Sequence, residues 1–139
     1  MRKLVYVSAL LITAALLISS CGKYEEGPKI SLLSKKARLC KIWVPETIII
    51  NGYTLPTDSA GLYDYQIAFE KDGSLSETYG TITINGTWEF SGDVNIITTY
   101  SLAGVSSSET HEILKLKNDE LWLKHVQGTS TTETHFIHK

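Results

Sequence analysis

The chain has 139 residues, 13 Lys and Arg against 15 Asp and Glu, a formal charge of −2, and 42% hydrophobic residues. The length suits one domain with one real core. The near-balanced charge, with no basic cluster beyond Lys35-Lys36-Ala37-Arg38, argues against a nucleic-acid partner.

Arg2 and Lys3 precede a mostly apolar run from Leu4 to Ile18. The run is shorter than the about 20 residues of a membrane span and has the charge and length of a secretory signal. An ordinary cleavage site wants a small residue at −3, where Ile18 stands. Ile18-Ser19-Ser20-Cys21 instead resembles a bacterial lipobox, in which the chain is cut before a diacylated cysteine whose new amine is usually acylated too. A plain signal with an accidental cysteine is the alternative. Lipid on Cys21 would hold the domain on a membrane without a transmembrane helix, because each buried methylene contributes about 0.8 kcal/mol and two or more chains hold firmly. Gly22 is not the aspartate that keeps some lipoproteins at the inner membrane. Lys23-Tyr24-Glu25-Glu26 loosely resembles the acidic export signal of Bacteroidota-type lipoproteins, although a solvated tether needs no sequence at all. The expected location is the outer membrane, with the outward face preferred to the periplasmic one. Cys40 is then left without a disulfide partner and reads as a small buried hydrophobe.

The expected division is a leader over 1–20, a lipidated tether over 21–30 and a folded domain over 31–139. Within the domain, the spacing of Leu32, Leu33, Lys36, Leu39 and Cys40 predicts a short helix over about 32–40, with Ser31 available as its N-cap. The period then switches to two. "KIWVPETIII" is a strand whose Pro45 suggests an edge or a bulge. Asn51-Gly52 turns the chain, and "YTLPTDSAGL" reads as a loop. "YDYQIAFE" puts Tyr63, Tyr65, Ile67 and Phe69 on one face. Lys71-Asp72-Gly73 is a turn. "SLSETYGTITI" puts Leu75, Glu77 and Tyr79 together, with Gly80 as a bend or bulge and Asn85-Gly86 as the next turn. "TWEF", the turn Ser91-Gly92-Asp93, and "VNIITTYSL" follow, the last aligning Val94, Ile96, Thr98 and Tyr100. "SSSETHEILKLK" aligns Leu114 with Leu116. After Asn118-Asp119, "ELWLKHV" sets Leu121 and Leu123 against Trp122 and Lys124, and a turn at 127–130 leads to a last strand.

About eight short strands without crossover helices imply an all-β antiparallel meander. Closing it into an up-and-down barrel hides its edges; an open sandwich is the alternative. An eight-stranded barrel is either filled by side chains or holds one small ligand.

Trp43 opening a strand after the helix, Phe69-x-x-Asp72-Gly73, Gly86-x-Trp88-x-Phe90, and Ile113-Leu114-x-Leu116 followed by Leu121-x-Leu123 together resemble the lipocalin-like domain of small bacterial lipoproteins. The match runs from about residue 31 to the C-terminus. Its motifs are structural, and the family's usual glycine before the first tryptophan is replaced by Cys40-Lys41. The resemblance implies a small barrel that binds a hydrophobic molecule.

Such binding would use inward aromatics at the open end. Tyr63, Tyr65, Phe69, Tyr79, Trp88 and Tyr100 are the candidates, tyrosine and tryptophan combining an apolar face with a polar handle. The competing role for each is simple core filling. His111, His125 and His135 lie on three successive strands and would converge on a metal only in the right register; surface positions are the commoner outcome, and no metal or other cofactor is expected. No G-x-S-x-G, P-loop or G-x-G-x-x-G occurs, so the chain is not expected to be an enzyme. The expected partners are a membrane through Cys21 and a small hydrophobic or amphiphilic ligand. The alternative is a filled barrel that docks a cell-envelope protein.

Overall fold

The computed structural model describes residues 32–139. The expected leader, the Cys21 lipidation site and the tether lie outside the described residues. Among these residues one helix, α1 (Lys35–Leu39), precedes nine antiparallel strands: β1 (Ile42–Ile50), β2 (Tyr53–Leu55), β3 (Tyr65–Phe69), β4 (Ser74–Tyr79), β5 (Ile82–Ser91), β6 (Asn95–Leu102), β7 (Val105–Leu116), β8 (Glu120–Gln127) and β9 (Ser130–His138). Consecutive strands from β3 to β9 pair as a meander, and β1 pairs with both β3 and β9. This closes an eight-stranded barrel, as the turn spacing implies; β2 is an extra flap on β1.

The helix closes one end. It is shorter than its apolar spacing predicts. Its cap is Ser34, whose Oγ accepts from the Ala37 N–H at 3.1 Å. Ser34 rather than Ser31 therefore starts the helix, leaving Leu32 and Leu33 exposed before it. Leu39 is fully buried, and the Trp43 indole donates to the Leu39 carbonyl at 2.9 Å, satisfying one of the orphan acceptors at the helix end. Lys35 spans outward, its Nζ 3.9 Å from the Phe90 ring centre and 2.7 Å from the Asp93 carbonyl.

The two motifs around Asp72 and Trp88 are one interlock. Gly73 takes φ +94°, which a side chain would resist. Asp72 Oδ1 accepts from Ser74 N and Oγ at 2.9 and 2.6 Å. These bonds hold its exposed carboxyl below the usual carboxylate range. Trp88 N–H then donates to the Gly73 carbonyl at 2.8 Å and its indole to the Glu70 carbonyl at 2.9 Å. Phe69 and Phe90 meet the Trp88 ring edge-on.

The structure corrects four local readings. Residues 53–55 are strand rather than loop, because Asn51 (φ 51°) and Gly52 (φ 84°) make a tight hairpin turn. Gly80, at φ 58°, ends β4 in a true turn, so the strand read through it is two. Asn85-Gly86 is not a turn: both residues sit inside β5, Gly86 paired with Leu75 and Tyr100. Leu114 and Leu116 do not share a face, because a register shift between Ile113 and Lys115 flips the alternation, burying Ile113 and Leu116 and leaving Leu114 half-buried. The Pro45 irregularity is a bulge, between Pro45 and Thr47 where β1 meets β9.

Candidate functional site

The barrel encloses a cavity of about 550 Å³, within the range of small-ligand sites. Inward residues of β3, β6, β8 and β9 form its apolar floor: Ile67, Phe69, Ile96, Leu123 and Phe136. The mouth lies opposite α1, beside the turns at Gly80 and Gly104. Ile84, Leu102 and Val105 rim it and are well exposed.

Halfway up stands a carboxylate among phenols. Glu77 is inward on β4, opposite Ile67 and two residues from Tyr79. Tyr79 donates to Glu77 Oε2 at 3.0 Å and Tyr100 donates to Oε1. The Tyr65 ring lies 4.7 Å from that of Tyr79. Burial first, then the charge of Glu77, pushes the Tyr79 phenol up to about 12. Tyr65 and Tyr100 are also raised, again by burial first. Gly86 makes room for this cluster. A Cβ there would stand 2.6 Å from the Thr99 carbonyl oxygen and 2.8 Å from the Tyr100 ring.

A second polar set faces the cavity from β7 and β8. His111 and His125 are directly paired across the strands, their ring centres 5.1 Å apart, and Glu109 follows on the same face of β7. His111 Nε2 lies 3.8 Å from Glu109 Oε2 and 3.2 Å from the buried Thr98 hydroxyl. Burial, and then the neighbouring His125, lowers the His111 pKa, while Glu109 opposes both. His125 Nδ1 lies 3.0 Å from the Thr110 carbonyl, an acceptor only, so this nitrogen carries the proton. One donor atom from each of the three residues falls within 4.8 Å of the other two.

Four of the six aromatic candidates, Tyr65, Phe69, Tyr79 and Tyr100, line this cavity. Tyr63 does not: β3 begins only at Tyr65, and Tyr63 is 75% exposed in the preceding loop. Trp88 is buried in the interlock near α1 and is not part of the wall. Of the three histidines considered together, His111 and His125 meet, whereas His135 points outward, stacked at 3.8 Å on Trp122. Glu109 takes the third place. The alternation of β4 had already put Glu77 on the inward face; a carboxylate among apolar positions was the available signal. Cys40 is free and half-buried against the core, and burial raises its pKa.

No protein-family model matches the sequence, and no curated protein does. Among solved structures, the chain resembles a DUF4847 family protein from Bacteroides vulgatus ATCC 8482, with a TM-score of 0.53 at 15% identity over 76% of this chain and 96% of that one. At that identity the likeness shows a shared barrel fold.

Proposed function

We propose that this chain is an outer-membrane lipoprotein whose lipocalin-like barrel holds a small amphiphilic molecule without catalysis. The carrying observation is the open cavity of about 550 Å³, with an apolar floor and the Glu77–tyrosine cluster part-way up its wall. An alkyl or ring portion would fill the floor, and a polar end would meet the hydroxyls. The lipobox-like Ile18-Ser19-Ser20-Cys21 supports the anchor.

The test is native mass spectrometry of residues 22–139 incubated with a cell-envelope lipid extract. A discrete adduct that disappears in Ile84→Asp, at the exposed rim where folding tolerates the charge, supports the reading. A bare domain at its calculated mass rejects it. That outcome would favour the second reading, a barrel that docks an envelope protein through its apolar rim, where Ile82, Leu102 and Val105 are 65%, 79% and 73% exposed.

A further inference from the structure

The geometry points to a metal site on the cavity wall: Glu109, His111 and His125 together hold a divalent transition-metal ion, with Zn²⁺ the best match. Two imidazole nitrogens and one carboxylate oxygen are a donor set that Zn²⁺ uses when it keeps a fourth position open. Imidazole donors also select against Mg²⁺ and Ca²⁺, which prefer oxygen. The inference stands whether or not the cavity takes an amphiphile.

The three donors are within 4.8 Å of one another. Tetrahedral coordination at about 2.0–2.2 Å brings donors to roughly 3.4 Å, so closure asks the side chains to draw in by up to roughly 1.4 Å. The backbone is well placed for this: His111 and His125 are cross-strand partners, and Glu109 is the next inward residue of β7. The outer contacts also suit ligation. With Nδ1–H of His125 bonded to the Thr110 carbonyl, its Nε2 lone pair is left for a metal, the orienting arrangement typical of ligating histidines. The hydroxyl that lies within hydrogen-bond distance of His111 Nε2, Thr98 Oγ1 at 3.2 Å, can rotate away.

Charge favours a cation here. Glu77 and Glu109 both line the cavity, and among the described residues no lysine or arginine does. The 3.8 Å between Glu109 and His111 is too long for a hydrogen bond, so the pair is not already satisfied by itself. The fourth position faces the cavity, open to water or to an anionic oxygen donor.

Equilibrium dialysis of the full-length chain, purified in a non-ionic detergent without a polyhistidine tag, against Zn²⁺ alone tests the site. One Zn²⁺ should bind per chain. Removing an outer-shell partner typically lowers affinity 10–100-fold, so His111→Gln, His125→Gln and Glu109→Gln should each lower it by at least about 10-fold. Glu109 is half-exposed, so its variant folds even if a histidine variant does not. His135→Gln, on the outer face beside Glu133, should change nothing. Co²⁺ in place of Zn²⁺ should give the intense visible absorption of a tetrahedral site. Absence of one-to-one binding, or one-to-one binding that survives Glu109→Gln and His125→Gln, overturns the inference.

Discussion

A side chain at position 86 would collide with a backbone carbonyl and an aromatic ring at once. Gly86→Ala must push Tyr100 off its bond to Glu77 or shift β6. Overpacking of this kind typically costs 1–3 kcal/mol, and a urea melt should show a loss of about that size. The same letters make a turn at Asn51-Gly52 and a slot at Asn85-Gly86. What distinguishes them is the ring across the sheet, and a single strand of sequence does not carry its cross-strand neighbour. The phenols give a pH signature. Folded Tyr79 keeps its proton to about pH 12, while the unfolded chain releases it near 10. Stability from this group is therefore full below pH 10 and is lost as pH rises through 12. Phenolate absorbance should show a group titrating late, and Glu77→Gln should bring its midpoint back down by removing the adjacent charge. Cys40, raised by burial, should react with a maleimide at pH 8 more slowly than a free thiol.

At the scale of elements, the helix is a plug more than a helix. Five residues cannot sustain a helix alone; Leu39 and the Trp43 indole pin it to the barrel end. Leu39→Ala should cost about 2–5 kcal/mol, the range for emptying a buried leucine site, read as a lowered denaturation midpoint. Strand β8 was legible because its alternation is unbroken: Leu121 and Leu123 are in, Trp122 and Lys124 are not. Strand β7 was misread at its end because one extra residue near Leu114 resets the phase, and nothing in "EILKL" announces that. The bulge turns Lys115 over the Trp122 ring, 3.7 Å from its centre, where Glu120 pairs with it at 3.1 Å. Glu120→Ala leaves this buried ammonium without its carboxylate and should cost about 1–3 kcal/mol, the usual penalty for an orphaned buried polar group. Lys117→Ala, which removes only the exposed partner of the same carboxylate, should lower the thermal midpoint less than Glu120→Ala does.

At the scale of the molecule, closure depends on the first and last strands meeting. β1 and β9 pair from Trp43–His138 to Ile50–Thr132. The barrel was legible because turn signals recur through a chain with no crossover helix, and a meander of that length has edges to hide. The site was not legible to the same degree. His111 meets His125, and Glu109 rather than His135 joins them, through a register that only the folded sheet fixes. Ending the chain at residue 129 removes β9 and exposes two edges. Circular dichroism of that truncation should show no cooperative thermal transition, where the whole domain shows one.

β1 is shared unevenly: it pairs with β3 only at Ile42 and Trp43, and its far half pairs with β2. Beside the mouth, the wall between β1 and β3 is therefore the loop over 56–64, whose Leu62 faces the cavity. That stretch of wall carries no β1–β3 ladder, so it can shift without breaking the pairing that closes the barrel. The rest of the wall is tied strand to strand, and any widening of the mouth is therefore borne by this one loop.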